Sequence, residues 1–336
     1  MITGENLFAQ PSSYKTALVV VQAAPWEVTS SYGGGSSLGP KNIVQASSQL
    51  DFFNFAKKNE PKPFVYMHKI DPEILTLSRS LQKDAQKIMQ ACGAHGDNPI
   101  DSSLSTLQKK INSESEKLNN TIYNNTLKTL EDKKIPALLG GDHSVSFGAI
   151  KACLKIYKNL SILHIDAHAD LRKNYQGFAH SHASIMYNVM ELSTNPEKLC
   201  SVGVRDFCQQ EYDYFQKKEN IKIFFDEDLK TASFQGTSWA KQCEAIISEL
   251  GENVYISLDV DGLQPSLCPN TGTPVPGGLS YNQFVFLLAT LSKHNKKVVG
   301  FDLCEVSCGS STSQWDANVG ARLLLKMCLV CHNQML

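Results

Sequence analysis

Leu160-Ser-Ile-Leu-His-Ile165, followed at once by Asp166-Ala-His-Ala-Asp170, is the stretch on which the reading of this chain turns. Six residues of mostly apolar character are too few for a helix and predict a buried strand. Asn253-Val-Tyr-Ile-Ser-Leu258 and the Asp259-Val-Asp261 that follows it repeat the arrangement. In extended backbone the side chains at i, i+2 and i+4 project to one side. Asp166, His168 and Asp170 therefore converge, as do Asp259 and Asp261. Four carboxylates at the mouths of buried strands repel one another and resist desolvation unless cations neutralise them. Carboxylate oxygens mixed with imidazole favour a divalent ion such as Mn²⁺ over thiolate-held Zn²⁺. The pattern predicts a hydrolase in which carboxylates bridge two metal ions.

Working outward, further strands are predicted at 17–22, 64–68, 136–139, 201–204, 221–225 and 298–303. Helices are predicted at 41–55, 102–133, 145–157, 184–191, 209–218, 238–250, 281–292 and 321–330. Strands alternating with helices imply a parallel sheet covered on both faces, within one domain spanning residues 1–336. Ligand sites in such sheets lie beyond the carboxyl ends of the strands. Gly140-Gly-Asp-His-Ser144, Asp166–Asp170, Asp259–Asp261 and Glu305 all fall there.

At 336 residues and 42% hydrophobic, the chain can bury a full core. A net charge of -1 gives no electrostatic reason to expect nucleic acid or an anionic membrane as partner. The sequence has no long apolar run and begins with neither a basic n-region nor an apolar h-region, so a cytoplasmic protein is expected. Ten cysteines scattered through apolar stretches then read as reduced thiols. Cys328-Leu-Val-Cys331-His332 matches the attachment signature for c-type haem. It lies in the last predicted helix of a chain without an export signal, and reads as buried helix cysteines.

His143, at a strand-to-helix turn, joins the two acidic clusters as a sixth candidate ligand. With it in place the sequence is identified as a member of the ureohydrolase family, which includes arginase and agmatinase. Gly140–Ser144, Asp166–Asp170, Ser257-Leu-Asp-Val-Asp261 and Thr271-Gly-Thr-Pro274 with Gly277-Gly278 carry the resemblance, which runs from about Trp26 to the C-terminal helix. It implies a three-layer α/β/α fold with an eight-stranded parallel sheet and two Mn²⁺ per chain. One ion would be held by His143, Asp166, Asp170 and Asp259, the other by His168, Asp166, Asp259 and Asp261. Glu305 matches the glutamate that pairs with the guanidinium group, Thr273 the threonine that positions that glutamate, and His182 the histidine that shuttles protons. His180 lies two residues away and fits less well. His164 alternates onto the side of Asp166, although a packed core histidine is the favoured reading.

Two departures bear on the substrate. Gln264-Pro265 replaces the acid-proline of the usual pattern and concerns loop packing. Arg172 stands where arginases place an asparagine for the amino-acid head group, and the segment resembles the agmatinase-like branch. Arg172 would repel an amine tail, grip a carboxylate, or serve as a solvated loop cation. Gly33-Gly34-Gly35 lacks the Gly-Lys-Ser/Thr of a phosphate loop and reads as a flexible turn near the substrate entrance. The expectation is urea release from agmatine to give putrescine. Guanidinobutyrate, arginine and formiminoglutamate are the alternative substrates, and a catalytically silent metal-binding scaffold is the non-enzymatic alternative. A homotrimer or homohexamer is implied by the resemblance.

Overall fold

The computed structural model describes residues 5–54, 57–93, 100–309 and 314–334. Eight strands form one sheet: β1 (Val19–Ala24), β2 (Val65–Met67), β3 (Ile135–Gly140), β4 (Leu160–Ile165), β5 (Lys198–Val204), β6 (Ile221–Phe225), β7 (Asn253–Asp259) and β8 (Lys297–Cys304). Every pairing is parallel, in the order β2-β1-β3-β8-β7-β4-β5-β6. The chain leaves a gap between β3 and β4, builds outward to β6, and returns to fill that gap with β7 and β8.

Helices cover both faces. Strand residues alternate between two apolar clusters, as period-two geometry requires. In β4, Leu160 and Ile162 face one side and Leu163 and Ile165 the other. The first side packs α2 (Pro72–Cys92), α3 (Ser102–Glu131), α4 (Ser146–Ile156) and α5 (Ile185–Met190). The second packs α1 (Gly39–Ser47), α8 (Trp239–Ser248), α9 (Tyr281–Lys293) and α10 (Trp315–Asn333). The short α6 (Gln209–Phe215) and α7 (Asp226–Phe234) follow β5 and β6. This is the three-layer α/β/α arrangement expected. The helix predicted over 41–55 is shorter, ending at Ser47, and Phe55 lies outside the described residues.

Register positions the site. Ile165 pairs with Leu258, Asp259 with Cys304, and Leu139 with Leu303. The four adjacent strands β3, β8, β7 and β4 therefore end flush. A functional segment begins at the last residue of β3 and β7 and just after the end of β8 and β4. All ten cysteines are free thiols, and Cys328 and Cys331 are buried within α10. Among the described residues no helix is long and apolar enough to cross a membrane.

Candidate active site

His143 is the centre of the cluster. Its Nδ1 lies 3.2 Å from Asp166 Oδ2, 3.2 Å from Asp170 Oδ2 and 3.5 Å from Asp259 Oδ2. His168 Nδ1 lies 3.4 Å from Asp166 Oδ1 and 3.1 Å from Asp261 Oδ2. The two oxygens of Asp166 thus face two different histidines, the geometry of a bridging carboxylate. Local backbone bonds fix these carboxylates: Asp166 Oδ1 accepts the His168 amide at 2.6 Å, Asp259 Oδ1 the Asp261 amide at 2.8 Å, and Asp261 Oδ1 the Ala167 amide at 3.0 Å. Asp170 and Glu305 both hold positive φ, 53° and 62°. Non-glycine residues adopt that region at a cost, and such strain concentrates at functional sites.

The far nitrogen of His143 shows what the near one is for. Nε2 lies 2.9 Å from Ser257 Oγ, whose hydroxyl donates to both oxygens of the buried Asp302 at 3.0 Å. Ser257 has only one proton to give, so its oxygen accepts from Nε2–H, and the Nδ1 lone pair is left facing the carboxylates. Buried Nδ1 has no hydrogen-bond partner there. Set among three carboxylates, that nitrogen carries a proton in the metal-free fold and is free to act as a ligand once a dication takes the proton's place. Oxygen and imidazole donors of this kind fit hard divalent ions such as Mn²⁺.

A small cavity of about 140 Å³ opens beside the cluster, lined by His168, Asp170, Thr273 and His182 on its inner side. The exposed Asp206 and the part-exposed Arg172 and Tyr175 line its mouth, and the buried Glu211 completes the wall.

A sequence model of the Arginase family matches residues 17–330. The chain belongs to the arginase family. An agmatinase from Halalkalibacterium halodurans is 28% identical over 97% of this chain and 96% of the relative. The N(1)-aminopropylagmatine ureohydrolase of Thermus thermophilus is 32% identical over 88% of this chain and 84% of its own length. The agmatine ureohydrolase structure from Thermoplasma volcanium superposes with a TM-score of 0.71 at 24% identity, covering 96% of this chain and 92% of that one. These likenesses place this arginase-family chain in the agmatinase-like branch, as a hydrolase of C–N bonds in linear amidines.

Electrostatics in this ureohydrolase site follow from burial. Desolvation alone would lower the His143 and His168 imidazoles, but the adjoining carboxylates reverse this and hold both well above their ordinary value. Burial, then Asp166, raises Asp170 to about 6. Burial, then Asp261, pushes Asp259 well up, and burial with Asp142 does the same to Glu305. Asp166 alone is driven well below the usual carboxylate range, because His164 and His143 overcome its burial. The metal-free cluster thus gathers protons wherever it can, and dications would take their place.

Each residue singled out in the sequence has a definite position. All six candidate ligands meet in the cluster. Glu305 Oε1 accepts the His143 amide at 2.9 Å. Thr273 donates to Asp261 Oδ2 at 3.3 Å, whereas the resemblance led us to expect a role in positioning Glu305; Thr271 instead donates to the Glu305 carbonyl, at 2.8 Å. His182 lines the cavity, while His180 lies against Phe147. Arg172 reaches the mouth, but its guanidinium sits 3.5 Å from Glu211 and stacks over Tyr175 at 4.6 Å. His164 is more than core packing, since its Nε2 lies 2.9 Å from Asp166 Oδ2 and its Nδ1 3.0 Å from Ser201 Oγ. The glycine run is held rather than flexible. Glu27 accepts the amides of Gly35 at 2.7 Å and Ser37 at 3.0 Å, and Gly33 abuts Gly272 so closely that a Cβ would stand 2.8 Å from its Cα. Ser257, Asp302 and Glu27 were missed as site residues. Ser257 lay within a quoted motif, and its place two residues before Asp259 was the available signal.

Proposed function

We propose that this chain releases urea from agmatine, giving putrescine, with two Mn²⁺ per chain held by His143, Asp166, His168, Asp170, Asp259 and Asp261. The observation that carries this reading is the buried, unpartnered His143 Nδ1 facing three carboxylates. Held by these six residues, such ions would lower the pKa of an attacking water and balance the charge that develops as it adds to carbon.

The protein's own groups supply the rest. Glu305 presents a buried carboxylate with one oxygen on the His143 amide. A guanidinium is a planar cation that such a carboxylate grips in a fork, and the cation returns Glu305 to its charged form. This fixes the guanidino carbon over the cluster. Burial, then His168, lowers His182 to about 4, so it stands neutral at pH 7. Neutral imidazole accepts the proton that the attacking water gives up. It then passes that proton to the amine nitrogen, which leaves with the electron pair of the broken C–N bond.

Charge at the mouth favours a cationic tail. Arg172 is engaged by Glu211, whereas Asp206 is exposed on the cavity wall and carries no ion pair among the described residues. Agmatine carries the amine that this carboxylate would attract. The name of the Thermus relative makes N(1)-aminopropylagmatine the natural second substrate to try. Cytoplasmic location and assembly as a homotrimer or homohexamer belong to the same proposal.

The test is urea release by Mn²⁺-loaded protein from agmatine, N(1)-aminopropylagmatine, arginine, 4-guanidinobutyrate and formiminoglutamate. Agmatine is expected to give the highest kcat/KM. Asp166→Ala is expected to lose both bound metal and turnover, and full urea release by that variant without metal would defeat the reading. A protein that binds Mn²⁺ and turns over nothing would be the scaffold alternative.

A further inference from the structure

The pinned turn that follows β1 brings a hydroxyl into the cavity that the reaction above leaves without a role. Ser31 Oγ lies 3.5 Å from His182 Nε2, and Ser31 lines the same cavity as His168 and Asp170. On the other side of the ring, Ser181 Oγ lies 3.4 Å from Nδ1. The backbone of Thr29 lies against both His182 and Asp142. His182 is therefore held from two directions, by its own segment and by the turn.

That turn does not depend on Ser31 to stay in place. The Glu27 carboxylate takes two of its amides, Ser307 donates to the Gly34 carbonyl at 2.7 Å, and Gly33 packs on Gly272. Gly33, Gly34 and Gly35 all hold positive φ, at 66°, 130° and 101°, a path that three consecutive side chains would not follow. Such a path, anchored by a buried carboxylate, is a rigid support. What it presents to the imidazole is the hydroxyl of Ser31.

We propose that Ser31 is a positioning residue for His182, its hydroxyl fixing the orientation and tautomer in which the imidazole delivers a proton to the leaving amine. The inference rests on the hydrolytic reading above and adds a residue to it. A proton donor works only within hydrogen-bond reach and along the right direction, and each positioned transfer is worth about 10²–10⁴ in rate. A ring held on one side alone would forfeit about tenfold of that.

The experiment compares wild type, Ser31→Ala and Ser31→Thr, each Mn²⁺-loaded, on agmatine and on its guanidinooxy analogue, whose less basic leaving group needs less help from a proton. For Ser31→Ala we expect kcat on agmatine to fall about tenfold with KM and Tm unchanged, a smaller loss on the analogue, and recovery with Ser31→Thr. A Ser31→Ala enzyme with wild-type kcat, or one that loses equally on both substrates, overturns the role of Ser31 and leaves the hydrolytic reading intact. Failure of the wild type on every guanidino substrate overturns that reading first and this role with it.

Discussion

At the scale of single residues, the site is a problem in placing negative charge, and its solution reaches beyond the ligands. His143 can offer a lone pair at Nδ1 only because Ser257 and Asp302 hold the proton on Nε2. Removing that relay by Ser257→Ala is expected to weaken Mn²⁺ binding by about 10–100-fold, the usual range when a ligand loses its orienting partner. Equilibrium dialysis or calorimetry would read it, and unchanged affinity would mean the ring needs no such support. Asp206 acts further out, in water. Asp206→Asn is expected to raise KM for agmatine by about fivefold, the upper end for an exposed ion pair, and to leave KM for 4-guanidinobutyrate unchanged or lower. The ligands after β4 and β7 were legible in the sequence as short acidic motifs directly after apolar runs. They do not converge through extended backbone as expected: Asp170 holds a φ of 53° and Asp261 lies in a 3-10 turn, so tight turns at the strand ends gather them instead. Asp302 was not legible, since its partner Ser257 stands 45 residues away and meets it only through the β7–β8 register. The same holds for the Thr273 hydroxyl, whose choice of Asp261 over Glu305 depends on how one loop lies across another.

At the scale of elements, the strands were the easiest to find and the helix boundaries the hardest. All eight strands appear within a few residues of their expected positions, since buried parallel strands are short and continuously apolar. By contrast α2 was missed altogether, although its signals are present. Asp71 caps it by accepting the Glu73 amide at 2.9 Å, Pro72 occupies its first turn, and Ser78, Leu81, Ala85 and Ile88 line its buried face. Only two of those four are strongly apolar, so the stripe is faint in sequence. α10 begins at Trp315 rather than 321 because Gly320, which reads as a breaker, is a packing position against Ile43 of α1, where a Cβ would stand 3.0 Å from Cδ1. The cap gives a clean test of the helix assignment. Asp71→Ala is expected to cost about 1 kcal/mol, seen as a lowered Tm with kcat unchanged, because Asp71 sits at the exposed start of α2 and, among the described residues, bonds only the Glu73 amide. A variant as stable as wild type would show that α2 is held by its packing alone.

For the whole molecule, stability, metal and pH are one linked equilibrium. In the metal-free fold, burial with Asp166 raises Asp170 to about 6, and burial with Glu27 raises Asp142 to about 7 despite the opposing Ser144, both from a value of 3.8. A carboxyl whose folded pKa is raised favours the folded state in its protonated form. Its contribution is complete below pH 4 and is lost as pH climbs through 6 and 7. His182 runs the other way: lowered to about 4, it withdraws stability only as pH falls below 6.5. Above pH 6.5 the raised carboxyls and the raised His143 and His168 all lose stabilising protons in the same direction, and metal-free protein is expected to melt at progressively lower temperature between pH 6.5 and 8. Dications substitute for those protons, so Mn²⁺ uptake should release protons and tighten as pH rises. The Tm gap between loaded and metal-free protein is then expected to widen from pH 6.5 to 8, with Asp142→Asn flattening the metal-free curve without narrowing metal affinity to the same extent. Paired melting curves at fixed ionic strength would decide it. A metal-free protein that grows more stable toward pH 8 would mean that its carboxylates are already neutralised by something other than protons, and the electrostatic case for the two ions would have to be rebuilt.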